Sequence, residues 1–338
     1  MKNKVFYNWS DFTTDKIFES DLFEGADWLE DYLAEKKRNP FPKLRYSPFN
    51  IWVHREHRSK YFNVNKDGFR IVNYNQVDAD KKLFILGDSI IFGEHYVRDQ
   101  DTLPSQIAKF LSEVDAKTEV FNFSQTGYTL MNQINLITKL LCKGDVPDEI
   151  FIYFGINEIF VNSLLGQDHI GERLYNENRI FGYTWKMFLK EVFLRKFFGN
   201  KNSPLFYFDA SAKIEQICNA ELKKVLNCIK IIKSILNEYK INFTFFILPT
   251  IFNTNKNLSI VEKNILRKIN NKHPLLADLF KLYYVKLARV INCECSLVDL
   301  NDCLKNEDKS IFLDFCHCSS FGLQILAKKS IHSCQTYK

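Results

Sequence analysis

From Lys82 onward the chain alternates short apolar runs with longer stretches of helical periodicity, and this restricts its fold more than any other feature. The apolar runs cover residues 83–86, 119–123, 149–154, 242–248 and 296–300. They end respectively at Gly87, in Ser124-Gln125-Thr126-Gly127, at Gly155, at Pro249, and with Asp299 near the end. Between them the apolar spacing is that of helices, over residues 103–114, 131–141, 212–239, 259–269, 274–291 and 321–333. The longest places Ile214, Ile217, Leu222, Val225, Leu226, Ile229, Ile232 and Leu236 on one broad face.

Strands that alternate with helices call for a parallel sheet covered on both faces, joined by right-handed crossovers. The expected architecture is a three-layer α/β/α fold, with a flavodoxin-like five-stranded parallel sheet. An N-terminal extension (residues 1–80) packed on the core and a helical insertion (residues 160–211) complete it. In such sheets ligands bind beyond the carboxyl ends of the strands. The residues that follow each apolar run are therefore the place to look for chemistry.

Those residues are Gly87-Asp88-Ser89, then Asn122 and Gly127, then Gly155-Ile156-Asn157-Glu158. Asp314-Phe315-Cys316-His317 precedes the last helical stretch. Each has an ordinary reading as well. Ser89 suits a helix N-cap. Asp314 and His317 suit a surface turn with a capping Asp, Gly127 a plain turn, and Asn157 a turn-stabilising side chain.

Taken together and in order, these blocks resemble the SGNH or GDSL hydrolases. That family carries G-D-S after its first strand, a Gly after the second, G-x-N-D after the third and D-x-x-H before the last helix. The segment Phe62-Asn63-Val64-Asn65-Lys66-Asp67-Gly68-Phe69-Arg70 also looks like one that often precedes G-D-S in bacterial members. The resemblance spans about residues 62–160 and 240–335, making residues 81–338 an SGNH hydrolase-like domain.

It implies Ser89 as nucleophile, His317 as its base and Asp314 as the carboxylate that holds the imidazole tautomer. It implies an oxyanion hole from the backbone N–H groups of Ser89 and Gly127 and the Asn157 side chain. Glu158 departs from the pattern, since Asp usually follows that Asn. Asp88 is expected to bond nearby loop amides. His54, His57, His95, His169, His273 and His332 show no comparable setting.

Composition narrows the alternatives. The net charge of +6 is spread along the chain, with no basic tract to follow a nucleic-acid backbone. It suits an anionic substrate or a membrane surface without requiring either. No stretch approaches the roughly 20 apolar residues that span a bilayer. The first residues lack the apolar run of a signal peptide. A cytoplasmic location is expected, and an odd number of cysteines, nine, agrees with it.

Cys293 and Cys295, like Cys316 and Cys318, are one residue apart, which does not suit zinc. Buried thiols and no metal are expected. Residues 185–198 put Trp185, Phe188, Leu189, Val192 and Phe193 on one side. That stripe reads as packed core, as a lid, or as an interfacial helix allowing peripheral membrane contact. His54, Arg55, His57, Arg58 and Lys60 form a basic cluster that reads as a solvated face, or as a greeting for an anionic substrate.

The expected function is serine-dependent ester hydrolysis through an acyl-enzyme, on an O-acetylated carbohydrate or other small ester, with no cofactor. An O-acetyltransferase acting on a surface glycan would use the same blocks, with an acyl donor such as acetyl-CoA. A non-catalytic glycan- or protein-binding domain would be expected to lose one of the blocks, and none is lost. The oligomeric state is not legible.

Overall fold

The computed structural model describes residues 12–40, 44–47, 51–160, 210–273, 275–291 and 297–334. The helical stripe at 185–198, the rest of the expected insertion at 161–209, and Cys293 and Cys295 lie outside them. Helix α1 (Leu29–Arg38) and an antiparallel pair, β1 (Leu44–Ser47) and β2 (Ile51–His54), precede the main sheet.

The main sheet comprises β3 (Lys81–Leu86), β4 (Thr118–Asn122), β5 (Glu149–Phe154), β6 (Asn242–Ile247) and β7 (Leu297–Asp299). All neighbours are parallel and the spatial order is β4-β3-β5-β6-β7. This is the expected five-stranded, flavodoxin-like parallel sheet. The central strand β5 is buried at every position, which is why its sequence is almost wholly apolar rather than alternating. Its Glu149 sits opposite Leu83 of β3 and Asn242 of β6.

The connecting helices are α2 (Ser89–Phe92), α3 (Leu103–Glu113), α4 (Leu130–Cys142), α5 (Ile156–Phe160), α6 (Ala210–Glu238), α7 (Ile260–Lys272), α8 (Leu276–Ile291) and α9 (Ser320–Ser333). Helix α3 packs on α9, while α4, α5 and α8 pack on α6. Right-handed crossovers put these two sets on opposite faces of the sheet. On α6, Val225, Ile229, Ile232 and Leu236 are buried, as the apolar spacing requires. Among the described residues no helix is long and apolar enough to cross a membrane.

Two devices fix the loops that matter. The first is a capping box on α7. The Ser259 hydroxyl accepts from the Glu262 amide, and the Glu262 carboxylate accepts from the Ser259 amide. The other Glu262 oxygen accepts from the amides of Ile311 (2.8 Å) and Phe312 (3.1 Å). Lys256, fully buried with Glu262, balances its charge at 2.8 Å. The segment that begins at Ile311 is thereby pinned. It closes on itself through Leu313 N–H to the His317 carbonyl (2.8 Å) and Ser319 N–H to the Ile311 carbonyl (2.8 Å). From the N-terminal side, the Thr13 hydroxyl donates to the Leu313 carbonyl at 2.6 Å.

The second device is Arg70, whose side chain is fully buried. It pairs with Asp99 at 2.7 Å, donates to the carbonyls of Phe92, Gly93 and Val97, and lies over the Phe62 ring. It thus holds the turn that follows α2. Arg70→Met leaves the buried Asp99 carboxylate without its cation, though Asn63 still donates to it, and removes the guanidinium donor from the carbonyls of Phe92, Gly93 and Val97. The expected cost is about 3–5 kcal/mol of stability by denaturant unfolding. A loss below about 1 kcal/mol would show that the guanidinium is not what holds this turn.

Candidate active site

Ser89 opens α2 at the end of β3. Its expected rival role, helix N-cap, belongs instead to Asp88, whose carboxylate accepts from the Ile90 amide at 2.9 Å. Burial pushes the Asp88 carboxyl up to about 6, against the pull of that amide. Ser89 itself is half-buried, and its hydroxyl is left for other work. As first residue of a helix, its N–H has no acceptor within that helix.

The pinned segment after Ile311 carries the next two groups. His317 Nε2 lies 2.9 Å from Ser89 Oγ, and His317 Nδ1 lies 2.7 Å from Asp314 Oδ2. The other Asp314 oxygen accepts from the amides of Cys316 (2.8 Å) and His317 (2.7 Å). Asp314 is wholly buried. Burial opposes its charge, but the His317 imidazole and these hydrogen bonds hold the carboxyl far below its ordinary range. Burial likewise opposes charge on His317, yet the Asp314 carboxylate lifts it above the ordinary imidazole value of 6.5. With Asp314 accepting at Nδ1, the proton of neutral His317 sits on Nδ1 and the lone pair of Nε2 faces Ser89.

Hydrogen bonds between loops gather the other two residues at the same edge. The Gln125 amide donates to the Gly87 carbonyl at 3.2 Å, tying the loop after β4 to the one after β3. Asn157 Nδ2 donates to the Tyr128 carbonyl at 3.0 Å, tying that loop to the one after β5. An amide nitrogen carries two protons, so among the described residues one remains for a ligand. Gly127 stands between these ties with φ +72, a backbone that favours glycine.

Glu158 explains its own departure from the expected Asp. Its two oxygens accept from the amides of Leu130 and Gly155, each at 2.8 Å. The longer side chain thus reaches the first residue of α4 while bracing the loop that bears Asn157. Burial pushes its carboxyl up to about 7, against the pull of both amides.

Two expectations need correction. His95, expected to stand apart from the site, lies against it, since its ring meets the His317 ring edge-on with centroids 4.5 Å apart. Burial, and then the nearby His317, push its imidazole well below the ordinary value. The cause is local. Gly93 ends α2 after one turn, so the next residues stay beside Ser89. His95 and Tyr96 both hold φ at 60°, in the left-handed region. The sequence signal was the brevity of the segment between Ser89 and Gly93.

Nor does His54 belong to a solvated basic face. It is buried, stacked on Phe92 at 4.2 Å, and its Nδ1 lies 2.8 Å from Gln125 Oε1. Burial lowers its imidazole pKa. Arg58 and Lys60 of the same cluster are exposed, as expected. Glu94 lies nearby. It accepts a hydrogen bond from the Thr126 hydroxyl and is 3.8 Å from His54 Nε2. Cys316 and Cys318 are buried thiols.

No family profile and no curated protein matches the chain. Solved structures do. A member of the lipolytic protein G-D-S-L family from Veillonella parvula is 12% identical, with 75% of this chain and 97% of that one covered and a TM-score of 0.42. An α/β hydrolase enzyme from the metagenome of Lake Arreo, Spain, is 13% identical, with 77% and 97% covered and a TM-score of 0.38. An acetylxylan esterase from Geobacillus stearothermophilus is 14% identical, with 78% and 98% covered and a TM-score of 0.35. At these identities and scores the matches decide neither family nor activity, and the chain's own geometry has to carry the reading.

Proposed function

We propose that this chain is a serine-dependent ester hydrolase of the SGNH type, acting through an acyl-enzyme on an O-acetylated carbohydrate or a similar small ester. One observation carries the reading. Ser89 Oγ, His317 Nε2, His317 Nδ1 and Asp314 Oδ2 form a continuous hydrogen-bonded line of 2.9 and 2.7 Å at the carboxyl edge of the sheet.

The chemistry follows from that line. Ser89 Oγ attacks the ester carbonyl while its proton passes to His317 Nε2. Asp314 stabilises the imidazolium so formed and keeps the ring oriented. The oxyanion is met by the N–H of Ser89, the N–H of Gly127 and the second amide proton of Asn157, each donor contributing on the order of 10²–10³ in rate. His317 then protonates the departing alcohol, leaving acyl-Ser89. Water, activated by the same base, releases the acid and restores the serine. No cofactor enters any step.

The test is a time course with an activated acetyl ester across pH, with and without added glycans. Only neutral His317 can accept the proton, and its pKa is raised above 6.5. Turnover per free enzyme is therefore expected to climb with pH through an inflection above 6.5 and then level off. The linked stability runs the other way. A raised imidazole pKa stabilises the fold below about 6.5, and that contribution fades as pH rises through the folded value. Activity thus grows as the His317–Asp314 ion pair is lost. Absence of ester cleavage at every pH would sink the proposal. Acyl transfer to an added glycan hydroxyl, in place of free acid, would make the enzyme an O-acyltransferase.

A further inference from the structure

Beside Ser89 lie two side chains that the proposed reaction does not use, Glu94 and His95, and both adjoin its base His317. One ligand atom each from Glu94, His95 and His317 lie within 4.8 Å of one another. We propose that these three residues bind a divalent cation of the imidazole-preferring class, typified by Zn²⁺, and that its binding reversibly blocks the base. The blocking, though not the binding, rests on the hydrolase reading above.

Two imidazoles and one carboxylate are a common ligand set for zinc, which leaves a fourth position for water. At zinc–ligand bonds of about 2.0–2.2 Å, tetrahedral ligands stand roughly 3.4 Å apart. Glu94 Oε2 and His95 Nε2 are already 3.9 Å apart. Closing the rest takes a shift of about 1 Å, within reach of side-chain rotation.

What surrounds the three residues also suits a metal. Histidines that ligate metals usually give their other ring N–H to a carboxylate, which fixes the tautomer. His317 does this with Asp314 at 2.7 Å. Glu94 is oriented in turn by the Thr126 hydroxyl, with His54 beside it. Glu94 and His95 keep 18% and 22% of their side chains exposed, so an ion can enter from solvent. The carboxylate offsets half the charge of a dication, and neutral imidazoles bring no charge of their own.

A second group, Asp314, Cys316 and His317, also has metal-compatible spacing but is buried throughout. Its His317 Nδ1 and both Asp314 oxygens are already engaged. The expectation of no metal rested on cysteine spacing. It could not weigh a site built from two loops that meet only in the fold.

The ion displaces no covalent bond. It occupies the Nε2 lone pair that would otherwise take the Ser89 proton. Zn²⁺ titrated into the full-length enzyme, followed by calorimetry and by ester turnover, is expected to bind once and inhibit in parallel, with reversal by a chelator. His95→Asn, chosen because Asn tolerates the left-handed backbone, and Glu94→Gln should each weaken both readouts by more than about 100-fold. Thr126→Val should weaken them about tenfold. Each variant's own zinc-free turnover is the reference.

Ser89→Ala should still bind the ion. Co²⁺ in place of zinc should show nitrogen and oxygen coordination. A thiolate charge-transfer band would move the ion to cysteine and overturn the proposal, as would unchanged affinity in His95→Asn. Zinc bound through His95 in a protein that cleaves no ester would sink the hydrolase reading and leave the site standing.

Discussion

Ser89→Ala is expected to lower turnover of an activated acetyl ester by about 10⁴–10⁶-fold while leaving the protein as stable as before. The size follows from what is removed. Without Oγ there is no acyl-enzyme, and only the oxyanion donors and binding remain to help water attack directly. The silence of the stability readout follows from the local structure. Asp88, not Ser89, caps α2, so the substitution removes no cap. Ala is at home in the first turn of a helix, and a half-buried hydroxyl whose hydrogen bond goes to His317 adds little to the fold. The unfolding free energy should therefore change by no more than about 0.5 kcal/mol. A serine-directed phosphonate provides an independent check, since it should label wild-type protein once, at Ser89, and the variant not at all. Near-full activity in the variant, or a label at another serine, would move the nucleophile elsewhere. Loss of activity together with loss of fold would mean that Ser89 is a structural residue after all.

The sheet was legible because its strands carry short apolar runs, most nearly unbroken in the central β5, which is buried at every position. The run at 149–154 coincides with β5. The helices between them were legible to within a few residues for the same reason. A covered sheet demands amphipathic helices, and on α6 the buried stripe is the one the spacing marks. The line from Ser89 to Asp314 could be anticipated only through the resemblance, because its members come from opposite ends of the chain. No local pattern says that residue 317 meets residue 89.

What escaped the reading is of two kinds. Some of it is distance. The hydroxyl of Thr13 reaches the Leu313 carbonyl, and Glu262 pins Ile311 and Phe312, through contacts that leave no periodicity behind. The rest is backbone conformation. His95 meets His317 because Gly93 stops a four-residue helix and two non-glycine residues then hold positive φ. Histidine is enriched at positive φ but still seldom adopts it, and tyrosine is not enriched, so the identities of His95 and Tyr96 do not announce that conformation. Charged neighbours in sequence put His54 on a solvated face, whereas Gln125 and Phe92 draw its ring inward.

Asp314→Asn is expected to lower turnover by about 10⁴-fold, and the reason lies in how the carboxylate is held. Asp314 Oδ1 accepts from two backbone amides, those of Cys316 and His317. An Asn in its place must keep its oxygen there, since its NH₂ group would face two donors. The NH₂ group is then forced to the Oδ2 position, 2.7 Å from His317 Nδ1. It can only donate, so Nδ1 must give up its proton and accept. The proton moves to Nε2, which now donates to Ser89 and can take nothing from it. The variant keeps its shape and both backbone bonds, yet has no base. Its pH profile should lose the inflection above 6.5, because the imidazole no longer gains from a neighbouring anion. Asp314→Ala separates this tautomer effect from mere packing, since it instead leaves two buried amides unpaired at about 1–3 kcal/mol each. An Asn variant that keeps more than about a tenth of wild-type turnover would reduce Asp314 to the cap of its own turn. His317 would then need another carboxylate to hold it.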